Sequence, residues 1–211
     1  SMPIVTISRG SYSRGRDVAE RLARELGYEC ISREILLEAS EQFNIPEIQL
    51  VQAIEDAPSI LNRLTRGKER YMAYVRAALL KHVQKDDVVY HGFAGHLLLR
   101  DVPSVLKVRI NASIDDRIQE VVRRDGVSED QARERIARAD EERQKWARHL
   151  YDVDPRDVRL YDMVVQIRPM TIDDAVGTIQ LAAQLPAFQT TPEVKKTLEA
   201  LAARAAADAK A

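Results

Sequence analysis

Apolar positions along this chain alternate between short β-branched runs and stripes spaced three and four residues apart, the two rhythms of strand and helix. Pro3 to Ser8, with Ile4, Val5 and Ile7, reads as a strand that runs into the glycine-containing turn Arg9-Gly10-Ser11-Tyr12-Ser13-Arg14-Gly15. Val18, Ala19, Leu22, Ala23 and Leu26 then mark one face of a helix from about Gly15 to Leu26, with Gly27 as its C-terminal cap. Tyr28 to Ile31 is a second strand, after which Ser32 is well typed as the N-cap of another helix. From Pro46 to about Gln84 the pattern is helical with breaks at Pro58 and Gly67, and its last helix shows one face of Tyr71, Tyr74, Val75, Ala78, Leu79 and His82. Asp87 to Gly92 is a third strand leading into Phe93-Ala94-Gly95-His96, and a short helix begins at Leu97.

Ser104 to Ala112 is a fourth strand, apolar at Val105, Leu106, Val108 and Ile110 on both faces as a central strand requires. Ser113 caps a helix from Ile114 to Arg124, and Gly126 ends it. Ser128-Glu129-Asp130-Gln131 is a capping-box signature for a helix running to about His149. Met163 to Ile167 is a fifth strand and Asp173 to Leu185 a helix that packs back on the sheet. Strands alternating with helices predict an α/β fold with a five-stranded parallel sheet covered on both faces. Beyond Pro186 the composition shifts to Ala, Lys and Glu, with Thr191 as N-cap and Pro192 at the first helical position. This segment, 190–211, reads as an appended helical tail with frayed last residues, a candidate for partner binding or homo-oligomer formation.

Charge narrows the function classes. Charged residues make up 31% of the 211-residue chain yet sum to a net charge of -1, so no general basic field exists to hold nucleic acid or an anionic membrane. No apolar run approaches the roughly 18 residues of a membrane span, and no signal-peptide layout is present, so the chain reads as soluble and cytoplasmic. The single cysteine, Cys30, lies in an apolar run and reads as a buried structural thiol. His91 and His96 flank a turn without the third ligand of a metal site and read as core or surface residues.

Attraction for phosphate must therefore be local, and the first loop is the place for it. Gly10, four residues, then Gly15 matches the outer frame of a phosphate-binding P-loop, with Arg16 where the motif has Lys and Asp17 where it has Ser or Thr. Gly10, Ser11, Ser13, Arg14 and Gly15 would present backbone and side-chain donors to an anion at the helix start, Arg16 would carry charge, and Asp17 is the candidate Mg²⁺ ligand. The bland alternative is a strand-to-helix turn whose glycines serve geometry alone. A second constellation holds Arg117, Arg123, Arg124, Arg133, Arg135, Arg138 and Arg143 interleaved with acids such as Asp125, Glu134 and Asp140. Interleaved signs describe a solvated face laced by ion pairs. They also fit a lid that closes guanidiniums over a transferring phosphoryl group.

Taken together, Ile7-Ser8-Arg9 through Gly15-Arg16-Asp17, Ser32-Arg33-Glu34, His91-Gly92, Arg117, Ala139-Asp140-Glu141-Glu142-Arg143 and Leu160 to Val165 resemble the cytidylate kinase-like family. The resemblance runs from about residue 3 to 185 and implies a P-loop kinase fold with a nucleotide-monophosphate insert at about 46–84 and an arginine-bearing lid at about 126–156 within a domain of 3–189. It implies ATP and Mg²⁺ as cofactors, nucleotides as partners, and transfer of a γ-phosphoryl to a (deoxy)cytidylate-type monophosphate. By position it implies Arg16, Arg117 and Arg143 as catalytic, Gly15, Arg16 and Asp17 at the donor phosphates, and Ser32, Arg33 and Asp140 toward the acceptor. Four positions depart from the family pattern: Tyr12 and Arg14 stand at glycines, Ser32 at Asp and Phe93 at Arg. These departures keep open the alternative of a nucleotide-binding regulatory protein that retains the kinase fold without its reaction.

Overall fold

In the computed structural model, residues 3–32, 34–44, 65–85, 87–92 and 94–211 are described. Strand β1 (Val5–Arg9) enters the first loop, and α1 (Gly15–Leu26) follows it, ending at Gly27, whose left-handed φ of 70° is the helix-terminating geometry expected there. Next come β2 (Glu29–Ile31) and α2 (Glu34–Phe43). The expected helical region of 46–84 is described only from residue 65, where α3 (Thr65–Val83) passes through Gly67 within its first turn; Pro58 lies outside the described residues. Then β3 (Val88–Tyr90), the one-turn α4 (Gly95–Leu98), β4 (Leu106–Ala112) and α5 (Ile114–Asp125) lead to α6 (Glu129–Tyr151). Ser113 and Ser128 cap α5 and α6 with their side chains, the latter through a full capping box. Strand β5 (Met163–Ile167), α7 (Ile172–Ala183), capped by Thr171, and α8 (Pro192–Lys210), capped by Thr191, complete the chain.

The sheet is wholly parallel, in the order β2-β3-β1-β4-β5. On one face Val5, Ile7, Val89, Leu106, Val108 and Ile110 pack against Val18, Leu22, Val176 and Ile179 of α1 and α7. On the other, Ile4, Ile31, Val88 and Tyr90 pack against α2, α3, Leu97 to Leu99, Trp146 of α6 and α8. Strand parity turns Lys107, Arg109 and Asn111 away from the α1 face, so β4 is not apolar on both sides as its sequence suggests. Ser8 pairs in register with Arg109, and Asn111 with Gln166, which gathers polar groups at the carboxyl ends of β1, β4 and β5.

Two expectations change. Helix α8 is no appendage: Leu198, Ala202, Ala205 and Ala209 are buried in the same core cluster as Val75, Leu79 and Val83 of α3, and helix continues to Lys210. The apolar stripe of α8 is covered within the chain. Cys30 is half-buried rather than buried, because short β2 lies at the sheet edge.

Candidate active site

The first loop is shaped by two residues that local propensity disfavours. Tyr12 and Arg14 both adopt left-handed backbone, at φ 59° and 62°. These are the two positions at which the family pattern has glycine, so the glycine-type backbone persists with side chains attached. Neither side chain fills the loop. The Tyr12 ring packs against Ile118, Val121 and Ile136 and lies 4.8 Å beneath the Arg124 guanidinium, while Arg14 turns outward to Glu120 at 3.7 Å. Gly15 is needed for another reason: a Cβ there would stand 2.7 Å from Arg9 Cβ, so only glycine lets α1 start against the Arg9 side chain.

Inside the loop lies a cavity of about 510 Å³. It sits over the carboxyl ends of β1 and β3, adjacent strands whose onward connections leave in opposite directions, which is where open parallel sheets bind ligands. Among the described residues five arginines line it, Arg9, Arg109, Arg117, Arg143 and Arg156, with Asp140 as the single carboxylate. Ser8, Gly10, Ser13, Ser32, His91, Gln144, Trp146 and Gln166 also contribute to the wall.

The arginines differ in what they have left to offer. Arg117 donates from Nε to the Ser11 carbonyl at 2.7 Å and from Nη2 to Ser11 Oγ at 2.7 Å and to Asp140 Oδ2 at 2.6 Å. Ser11 Oγ in turn donates to Asp140 Oδ1 at 2.6 Å. This closed triangle ties the loop to α5 and α6. Burial works against the Asp140 charge, yet Arg117 and Ser11 outweigh it and hold the carboxyl below its usual range. Arg143 donates to the Arg9 carbonyl at 2.7 Å, a second tie between α6 and the loop. Loss of water around its guanidinium, with Arg9 nearby, pushes Arg143 down to about 10, and Arg9 is lowered by burial and by Arg16. Arg156 is matched bidentately by Asp154, Nε donating to Oδ1 at 3.0 Å and Nη2 to Oδ2 at 2.7 Å. Among the described residues, Arg9, Arg109 and Arg143 have no ion-paired carboxylate.

A neutral network supports the floor. His96 Nδ1 lies 2.8 Å from Ser8 Oγ, and Nε2 lies 3.3 Å from the Tyr161 hydroxyl, which donates to the Pro155 carbonyl. Because Tyr161 has spent its one proton, Nε2 must be the donor and Nδ1 the acceptor, so Ser8 directs its proton at His96 and its lone pairs elsewhere. Burial, then Arg109 and Lys107, drive His96 down to about 3, so the ring is neutral at any ordinary pH. Arg109 is fixed by Asn111 Oδ1 at 2.9 Å and lies over the Tyr161 ring. Ser13 Oγ, 1% exposed on the cavity wall, has no hydrogen-bond partner, a donor awaiting an acceptor.

The expected site residues therefore divide. Gly10, Ser13, Ser32, Arg117, Asp140 and Arg143 line the cavity, and Ser11 lies buried behind it. Gly15 shapes it from the helix start. Arg14, Arg16 and Asp17 do not line it: the Arg16 side chain is 68% exposed and held by Glu20 at 2.8 Å, and Asp17 is exposed in the first turn of α1. Arg33 and Phe93 lie outside the described residues. Arg9, Arg109, Asn111 and the His96–Tyr161 pair were not expected. The signal for Arg109 is the alternation Lys107, Arg109, Asn111 inside a strand that has both edges paired.

Among the described residues, no group of three or more His, Cys, Asp or Glu side chains is placed to hold a metal ion. His96 uses both ring nitrogens in the floor network, and Asp140 is taken up by Arg117 and Ser11.

Known proteins share the fold and part of the sequence. A cytidylate kinase of Methanopyrus kandleri is 24% identical over 192 residues, spanning 85% of this chain and 92% of its own. A crystal structure of an uncharacterized protein from Eubacterium ventriosum superposes with a TM-score of 0.68 at 20% identity, covering 87% of this chain and 98% of that one. Shikimate kinase from Bacteroides thetaiotaomicron shares the fold at a TM-score of 0.51 and 14% identity, over 88% of this chain and 100% of its own. The profile of the cytidylate kinase-like family matches residues 4–168, most of the chain and all of the residues that line the cavity, and on that match the protein belongs to the cytidylate kinase-like family.

Proposed function

We propose that the protein is a nucleoside monophosphate kinase-like phosphotransferase that moves the γ-phosphoryl of ATP to a (deoxy)cytidylate-type monophosphate. The observation that carries the reading is the convergence of Arg9, Arg109 and Arg143, none ion-paired within the described residues, on one cavity at the carboxyl ends of the strands. Guanidiniums there match phosphate oxygens bidentately and stabilise charge as it spreads over the transferring group. Ser13 Oγ supplies a further donor, and the first turn of α1 presents its positive end to the same region. The chain's own residues act by positioning: Ser11, Arg117 and Asp140 fix the loop, and Arg143 joins lid to loop through the Arg9 carbonyl.

His96 is not a general base in this scheme, since its pKa near 3 and its committed nitrogens leave it unable to take a proton. ATP-dependent transfer of this kind ordinarily uses Mg²⁺. Among the described residues, the cavity's side chains do not build a site for that ion. Incubation of the protein with ATP, Mg²⁺ and a panel of monophosphates tests the reading: a diphosphate of cytidine or deoxycytidine by mass spectrometry is expected, and no diphosphate from any acceptor would refute it.

A further inference from the structure

We propose that the cavity takes its polyphosphate in metal-free form, with guanidiniums neutralising the charge that a divalent cation would otherwise carry. The proposal rests on the reading of the cavity as a nucleotide phosphate site and concerns how that site balances charge.

The cation side of the balance is already filled. Arg9, Arg109 and Arg143 reach the cavity without an ion-paired carboxylate among the described residues, and both Arg9 and Arg143 are lowered first of all by burial. Partly desolvated, mutually repelling cations are costly until an anion arrives. A divalent cation brought into the same space adds to that repulsion instead of relieving it.

The anion side lacks what a divalent cation requires. Mg²⁺ needs oxygen ligands at roughly 2.0–2.1 Å in near-octahedral order, drawn from one or two carboxylates besides phosphate and water. Among the described residues Asp140 is the one carboxylate on the wall, and its two oxygens accept from Arg117 Nη2 at 2.7 and 2.6 Å and from Ser11 at 2.6 Å. Drawing it to a metal would dismantle the contact that ties the loop to α5 and α6. Asp17, the acidic residue of the first helical turn, is exposed and off the cavity wall. A metal-free triphosphate carries more negative charge than its magnesium complex, so it matches three guanidiniums better.

Calorimetric titration of the intact protein with ATP, and separately with inorganic tripolyphosphate, in EDTA and in excess Mg²⁺ tests this. Binding in EDTA at least threefold tighter than in Mg²⁺ is expected, with affinity falling steeply as salt rises. Arg109→Gln and Arg143→Gln should each weaken metal-free binding about tenfold or more, the scale of a lost charge-assisted contact. Binding abolished by EDTA and restored by Mg²⁺ would overturn the proposal, as would binding in neither condition. Tight binding in EDTA with no diphosphate product in any condition would uphold it while removing the transferase reading. Diphosphate formation with strictly Mg²⁺-dependent binding would do the reverse.

Discussion

Tyr12 and Arg14 share a backbone geometry, φ 59° and 62°, but not a side-chain environment, so replacing each by glycine should move stability in opposite directions. A non-glycine residue in the left-handed region costs about 1–2 kcal/mol, part of which glycine returns through its greater freedom in the unfolded chain. At Arg14 the losses are small: the ion pair with Glu120 is long at 3.7 Å and 40% exposed on the arginine side, a class worth roughly 0–0.5 kcal/mol. Arg14→Gly should therefore stabilise by about 0.5–1 kcal/mol. At Tyr12 the ring is half-buried against Ile118, Val121 and Ile136 and lies 4.8 Å from the Arg124 guanidinium. Losing that costs roughly 1.5 kcal/mol of apolar burial and about 0.5–1 kcal/mol of cation–π attraction. Tyr12→Gly should destabilise by about 1 kcal/mol net, the ring contacts outweighing the relief of φ. For a chain of this length each kcal/mol moves Tm by roughly 2–4 °C, resolvable by calorimetry and by urea unfolding. Shifts of the same sign in both variants, or a destabilised Arg14→Gly, would refute the account of the loop.

Other outcomes follow from the same contacts. His96 falls from about 6.5 unfolded to about 3 folded, so the unfolded chain binds the extra proton between those values and stability drops as pH falls through that window. The loss at pH 5 should be about 2 kcal/mol by that linkage, and His96→Asn should flatten the profile in urea midpoints measured from pH 7.5 to 5. Asp140→Asn should cost roughly 2 kcal/mol by weakening the charge on the Arg117–Ser11 contact, and should raise KM for the donor nucleotide more than it lowers kcat; an unchanged KM would remove Asp140 from loop positioning. Removing residues 190–211 strips Leu198, Ala202, Ala205 and Ala209 from α3, a loss of about 4–6 kcal/mol of apolar burial that should leave the chain unfolded or insoluble; a truncated protein of unchanged Tm would restore the reading of α8 as an appendage.

What the sequence reveals well is local. Caps at Ser113, Ser128, Thr191 and Gly27 lie where their residue types predict, because each is decided by hydrogen bonds within a few residues. Strand β4 shows where this stops. Apolar positions mark it as a central strand, but only the register with β1 and β5 places Arg109 beside Ser8 and Asn111 beside Gln166. The guanidiniums that meet in the cavity come from residues 9, 109, 117, 143 and 156, and no spacing rule joins positions so far apart. Arg16 shows how a side chain's direction escapes a motif: its position suggests a phosphate ligand, and in the structure a one-turn ion pair with Glu20 holds it on the outer surface of α1. The tail misleads because a stripe of alanines looks the same whether a partner or α3 covers it.

A crystal structure with cytidine monophosphate and a non-hydrolysable ATP analogue bound tests directly where the phosphates go. It should show phosphate oxygens within hydrogen-bond distance of Arg9, Arg109, Arg143 and Ser13 Oγ, with Ser11, Arg117 and Asp140 still joined behind the loop. Phosphates bound away from this cavity, with those four groups turned to water, would contradict it.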